Sequence, residues 1–378
     1  MYSTDLHSKA GSGREPSVNA GSVEVKIAGK LLKTTPVFDA YWRFAAARQN
    51  VFLAKHFPQN EPQGCTVDPV IKAYRFTNAY RASDRVSQYL ISRVAKASYS
   101  ERSLFIRVLL FKIFNRIDTW EAIQADTGDI TETNFDIKTI DAVLSKRQED
   151  GKRNYSAAYI MPSAGRRFDC SKKHTSHLSL ISWMLGEEFP ERLAACASMA
   201  DAYDLMISAP SIGPFLAYQY VTDLNYSRIT RFSEMEFVKA GPGALDGISK
   251  CFHLTENLTP EDCITYMAES QAKHFNRLEI DFPSLWGRPL QLIDCQNLFC
   301  EISKYSRVAF PHIQGVAGRK RIKQNYSPSQ KPVESLSYPD EWNIDPTSAP
   351  ENFPPSRGLE TSECGVAEHF GERQPMLL

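Results

Sequence analysis

The chain has 378 residues, 42% of them apolar and 11% aromatic, and 44 Lys or Arg are balanced by 44 Asp or Glu. That is enough apolar material for one large core or two domains, and it excludes a collagen-like or wholly disordered chain. No apolar run reaches membrane-span length and no secretory signal opens the chain, so the expectation is an intracellular protein, nuclear in a eukaryotic cell, with its eight Cys as free thiols.

Residues 1–34 are rich in Ser, Gly and Lys without sustained periodicity and read as disordered. Order is expected from residue 35. Thr35-Pro36 is a helix start, and Phe38, Tyr41, Trp42, Ala45 and Phe52 follow at helical spacing. After the break from Pro58 to Pro69, Tyr74–Tyr89 reads as a helix with Phe76 and Tyr80 inward. Arg75, Arg81 and Arg85, with Asn78 beside them, are then candidates for phosphate contacts, and Asp84 can pair with Arg81 or Arg85. Between Val70 and Arg116 there are ten Lys or Arg against two acids, so the global balance hides a basic stretch. A second basic run is Arg319 to Lys323.

Leu104–Ile117 is expected as a buried helix, Tyr155–Ile160 as a short strand or helix turn, and Lys172–Met184 as a helix. His174 and His177 share a face of that helix, with Cys170 near by. No clear fourth ligand follows, so they read as hydrogen-bonding groups, and no metal or other cofactor is expected. No Gly-x-x-x-x-Gly-Lys-Ser/Thr and no Gly-x-Gly-x-x-Gly after a strand occurs, so the chain is not an autonomous P-loop kinase or Rossmann domain. Helical patterns prevail to about residue 325, which predicts a mainly α fold in one unit, 35–325. The stretch 326–378, rich in Ser, Pro and Glu, reads as a disordered tail.

Pro210–Gln219 reads Pro-Ser-Ile-Gly-Pro-Phe-Leu-Ala-Tyr-Gln. Ile212-Gly213-Pro214 is a tight turn in which Gly213 permits a dihedral other residues avoid, and Pro214 suits the first helical position. This resembles the helix-hairpin-helix of the DNA glycosylases, whose hairpin amides cradle a phosphate. In that family a catalytic carboxylate follows by about two dozen residues; here Glu234 and Glu236 occupy that offset, Glu replacing the usual Asp. The polar stretch Thr222–Ser227 contributes Asn225 and Tyr226. Gly241-Pro242-Gly243-Ala244 opens a helix with Lys250 in its first turns, a second candidate phosphate cradle or a plain structural turn. Asp294, Asn297, Glu301, Lys304 and Tyr305 follow three-and-four spacing on one helix face, which is costly to bury unless paired, so they form a network or a pocket wall.

The motifs Tyr-Trp-Arg-Phe-x-x-x-Arg-Gln (41–49), Arg-Phe-Thr-Asn-x-Tyr-Arg-x-x-Asp-Arg-Val-Ser-Gln-Tyr (75–89), Leu-Leu-Phe-Lys-Ile-Phe-Asn (109–115), Gly-Pro-Gly-Ala (241–244) and Asp-Cys-Gln-Asn-Leu-Phe-Cys-Glu (294–301) together resemble one family over about residues 38–325. It is the helical domain of the 5-hydroxymethyluracil DNA kinases, related to the α-glutamyl/putrescinyl-thymine pyrophosphorylases. The resemblance implies a helix-hairpin-helix, glycosylase-like helical fold, DNA as partner, and base flipping to process or hypermodify a modified pyrimidine by glycosylase-like or pyrophosphate-displacing chemistry. Glu234, Glu236 and Asp294 are the catalytic candidates. The substrate-binding candidates are the basic residues, Ile212-Gly213, the glycine turn and the 294–304 face. The alternatives are a non-catalytic nucleic-acid-binding module, or a nucleotide or small-molecule enzyme that holds phosphate at Gly241–Gly247. The oligomeric state is open.

Overall fold

The computed structural model describes residues 22–58, 66–254, 257–328, 332–351 and 353. Structure begins before residue 35. β1 (Glu24–Ile27) and β2 (Lys30–Lys33) form an antiparallel hairpin in which Val25 pairs with Leu32, and Ala28 and Gly29 turn with φ of 44° and 81°. Two positive φ values in a two-residue connection match the twist of the strands. Val25, Ile27 and Leu32 enter the core, so only residues 1–21 of the stretch expected to be disordered lie outside the described residues.

α1 (Pro36–His56) starts as its sequence dictates, with the Thr35 side chain accepting from the Val37 amide and proline in the first turn. Its buried face includes Phe38, Tyr41, Trp42, Ala45 and Phe52. α2 (Pro69–Ala73) is short, and the helix expected over Tyr74–Tyr89 does not form as one piece. The backbone runs extended to a 3-10 turn, Arg81–Ser83, and only then to α3 (Arg85–Tyr89), followed by one π turn, Leu90–Val94. The physical reason is competition for backbone donors. The amide of Arg75 bonds Gln324, that of Thr77 bonds Glu301, that of Asn78 bonds Asp84 and that of Arg81 bonds Asp294, so four of the donors a helical ladder needs between residues 75 and 81 are taken.

α4 (Glu101–Phe114) is buried at every position from Ser103 to Phe114 and forms the centre of the molecule. It ends at Asn115 in the left-handed conformation, φ 50°, and α5 (Ile117–Thr127) restarts at once. After α6 (Ile137–Glu149), residues 155–160 are neither strand nor helix. Then come α7 (Gly165–Phe168), α8 (Lys173–Gly186), α9 (Phe189–Ala194), α10 (Met199–Ile207), α11 (Pro214–Asn225), α12 (Pro242–Cys251), α13 (Pro260–Arg277) and α14 (Leu292–Ala309). α12 and α14 approach so closely that a Cβ on Gly247 would stand 2.0 Å from the Phe299 carbonyl oxygen, and one on Gly243 would stand 2.9 Å from Cys300 Sγ. The glycines of this motif therefore serve helix–helix packing.

A single apolar core runs from Val25 to Phe353. It takes in Tyr338 and Phe353, so part of the stretch expected as a disordered tail packs on the body; residues 329–331, 352 and 354–378 lie outside the described residues. The fold is mainly helical, with β1 and β2 the only strands among the described residues.

Candidate functional site

α10 and α11 are joined by residues 208–213, which brings the Ile212-Gly213 turn to the surface. Gly213 caps α11 with φ −87° and ψ 171°, an ordinary extended conformation, and its exposed position has nothing within 4 Å of a notional Cβ. The left-handed residue of the turn is Ser211, φ 64°. The conformational argument for Gly213 is thus corrected; Ile212 is buried as the anchor of the turn.

From Leu216 to Asn225 every residue of α11 is buried, including Asp223. Asp223 Oδ1 meets Arg81 Nη2 at 2.8 Å and its Oδ2 meets Lys112 Nζ at 2.9 Å, and all three side chains are at most 3% exposed. Arg81 Nη1 also donates to Ser87 Oγ at 3.0 Å. Burial pulls the Lys112 ammonium down to about 8 against the opposing pull of Asp223. The Tyr159 ring covers both cations, 5.6 Å from the Arg81 guanidinium and 4.8 Å from Lys112 Nζ, and stacks on Phe215 at 5.9 Å. Tyr159 holds φ 55°, a strained conformation for a bulky residue. Arg81 is therefore not a surface phosphate contact; with Arg107 and Lys112 it belongs to the interior of a segment that its composition presents as a basic face.

Next to this charge centre lie two of the three carboxylates nominated from sequence. Glu234 is 4% exposed and its Oε2 accepts from Arg288 Nη2 at 2.7 Å. Tyr226 lies beside the same carboxylate. Asp294 is the third residue of α14, where it accepts from the Gln291 amide at 2.9 Å and from the Arg81 amide at 2.7 Å. Two amide donors ordinarily lower a carboxylate's pKa, yet burial first and the charge of Glu234 second raise that of Asp294. Burial likewise raises Glu234, and the partly offsetting Arg288 does not restore it. Both acids are buried, and the charge of Glu234 acts on Asp294. Glu236, two residues on, is exposed and takes no part.

Arg81 links the two clusters, its guanidinium on Asp223 and its amide on Asp294. Asn225 holds the loop that carries Glu234, taking the Phe232 amide at 2.8 Å and the Thr230 hydroxyl at 3.0 Å on Oδ1. Over the top, the Trp342 ring covers the Arg288 guanidinium at 3.9 Å and meets Tyr226 edge-on at 5.8 Å. Tyr338 stacks beside it and its hydroxyl reaches Ser83 Oγ at 3.0 Å, while Ser337 exchanges two hydrogen bonds with the Gln88 amide group.

The other nominated residues separate into two groups. Arg75 and Arg85 are exposed and stay available to a polyanion. Asn78 is held by Arg48 at 3.1 Å and by Asp84 and Ser83, and Glu301 binds the Thr77 amide at 3.1 Å and Lys304 at 2.8 Å. These positions form a hydrogen-bonded network that, among the described residues, does not include the half-buried Asn297 side chain. Gly241 is buried against Phe215, and Lys250, 2% exposed, binds Asp246 and the Ser303 carbonyl. Gly241 and Gly243 thus sit in packing, which corrects the expectation of a phosphate cradle formed by the glycine turn itself. His177 bonds Tyr155 at 2.9 Å and the Pro162 carbonyl at 2.8 Å, and among the described residues no group of three or more His, Cys, Asp or Glu is placed to hold a metal ion. Among the described residues no helix is long and apolar enough to cross a membrane. Sequence reasoning missed Asp223, Lys112, Tyr159, Arg288 and Trp342 as members of the site. The one local signal was an aspartate in a helix whose other residues carry no charge.

Comparison with known proteins puts this geometry in a family. The model of the helical domain of 5-hmdU DNA kinase matches residues 35–315. The 5-hmdU DNA kinase of Bacillus phage SP10 is 26% identical over 293 residues, which cover 71% of this chain and 45% of that protein. The chain thus spans about half the length of that relative, and no solved structure matches it significantly. The matched region holds Arg81, Asp223, Glu234, Arg288 and Asp294 and stops short of Trp342. The chain belongs to the 5-hmdU DNA kinase helical-domain family.

Proposed function

We propose that this protein binds DNA carrying a 5-hydroxymethyluracil-type pyrimidine, takes the base out of the stack and acts on it at Glu234, with Asp294 as the coupled second carboxylate. The substrate class follows from the name of the phage relative. The observation that carries the reading is the acid pair: two buried carboxylates from distant segments, each held toward its protonated form. Carboxyls raised in this way keep protons at a pH where exposed acids have lost theirs, which suits general acid and base work. Glu234 is the working member, because Asp294 commits both oxygens to backbone amides and Glu234 commits Oε2 to Arg288. The chemistry is glycosylase-like or displaces pyrophosphate from an activated base. The base must leave the stack because its reactive atoms are inaccessible inside a duplex. Arg75, Arg85 and the exposed end of α11 at Gly213 are the surface groups suited to the phosphate backbone.

The test is mass analysis of nucleosides after incubating the protein with DNA containing thymine, 5-hydroxymethyluracil or its phosphorylated forms. The expected result is a lost or new nucleoside in one arm that disappears with Glu234→Gln. No change in any arm, with salt-dependent DNA binding intact, would leave a binding module in place of an enzyme.

A further inference from the structure

Arg307, near the far end of α14, lies thirteen residues or roughly 20 Å along the helix from Asp294, at about 1.5 Å per residue. There a separate cavity of about 100 Å³ is lined by Lys250, Arg307, Arg319 and Lys320, with Gln314 and Gly315, and no carboxylate is among its lining residues. The second basic run of the sequence and the lysine of the glycine motif, far apart in the chain, meet here.

Two of the four cations are fixed in place. Lys250 Nζ donates to the Ser303 carbonyl at 2.9 Å and lies 3.4 Å from Asp246 Oδ2. Arg307 donates to the Arg321 carbonyl at 3.2 Å and to Ser303 Oγ at 3.4 Å, and its buried Nε has no partner. Burial presses the Arg307 guanidinium below the usual arginine range; the charge of Asp246 opposes this, and the like charge of Arg319 adds to it. Asp246 is the nearby counter-charge, but it already serves Lys250, the Ser303 hydroxyl and the Ala317 amide. With Lys250 paired to Asp246, the remaining cations leave an excess of positive charge around one small volume, which an entering anion offsets.

The loop that carries the run is also preshaped. A Cβ on Gly315 would stand 2.3 Å from Asp246 Oδ1, and Gly318 turns the chain back with φ 59°. The wall is therefore held against α12 without help from a ligand.

We propose that this cavity is an oxyanion site that takes one phosphate group. Guanidinium and ammonium donors converging with a neutral amide match the several oxygens of a phosphate better than the two of a carboxylate. The site is distinct from the Glu234–Asp294 pair and does not depend on what that pair does.

The experiment is calorimetry and thermal unfolding of the full chain with inorganic phosphate, against potassium chloride at matched ionic strength. Phosphate is expected to bind and to raise Tm by several degrees. Arg307→Gln should abolish the effect. Lys320→Gln, at an exposed position that cannot compromise folding, should weaken binding about tenfold. Binding no stronger than chloride, or affinity unchanged in both Lys320→Gln and Arg319→Gln, overturns the proposal. Displacement of phosphate by a short duplex upholds it and assigns the phosphate to DNA; binding that no duplex displaces upholds it and assigns a small phosphorylated ligand.

Discussion

Arg81 and Asp223 form a buried ion pair, Nη2 to Oδ1 at 2.8 Å, that ties the loop before α3 to the last turn of α11. The second oxygen of Asp223 takes Lys112, so one carboxylate is the shared partner of two cations at the centre of the molecule. Asp223→Asn removes the only ion-pair partner of both cations among the described residues. The expected loss is about 3–5 kcal/mol of unfolding free energy, typical of breaking a buried pair from one side. Urea unfolding at pH 7 measures it. A loss below 1 kcal/mol would mean that water reaches the cluster.

Glu234→Gln keeps size and removes the charge that Arg288 meets at 2.7 Å. Arg288 retains the face of Trp342 and some exposure to solvent, so the fold should survive. On the proper DNA substrate, single-turnover rate should fall by a hundredfold or more, about 3 kcal/mol in barrier, with DNA affinity unchanged. Glu236→Gln, at an exposed position, should leave the rate untouched.

The pH dependence of stability follows from the direction of the shifts. A buried acid with a raised folded pKa contributes stability below its unfolded pKa and loses it as pH rises through the folded value. Asp294 and Glu234 are of this kind, and Asp84, raised to about 6 by burial, adds to them. His177 and His274, lowered to about 4 by burial, act in the opposite sense as pH falls below 6.5. The acid pair is isolated by comparison: Asp294→Asn should be destabilised most at pH 5, and the gap to the wild type should narrow toward pH 8. A constant gap would show that folding does not raise the Asp294 carboxyl.

The two glycine motifs should respond in opposite ways. Gly247→Ala drives a methyl to 2.0 Å from the Phe299 carbonyl, a backbone atom that cannot swing aside. The expected cost is at least the ~1–3 kcal/mol of an overpacked contact. Gly213→Ala meets open space at an ordinary φ and should leave Tm within a degree or two. Weaker DNA binding in that variant would place the turn against the phosphate backbone.

Trp342 lies beyond the matched family region and covers Arg288. Trp342→Ala should therefore raise access to Glu234, seen as a several-fold gain in kcat/KM, together with a modest fall in Tm. A lower Tm with unchanged kcat/KM would assign the ring to packing alone.

The sequence by itself determined the elements whose information is local. Thr35-Pro36 starts α1, the aromatic spacing of Phe38, Tyr41 and Trp42 buries one face of it, and the Gly-Pro pairs open α11 and α12. Capping and periodicity act over a few residues, so a linear reading captures them. It also singled out Glu234 and Asp294, as separate candidates on separate segments. Tertiary structure alone decided that they are neighbours, that Glu236 is not, and that Arg81 points inward to an aspartate 142 positions away. Long-range bonds likewise took the amides of Arg75, Thr77 and Arg81 from the helix that their local pattern favours. A charge on a sequence has no address: whether it faces water or a buried partner depends on which distant segment folds over it, and the desolvation that shifts its pKa exists only once that has happened.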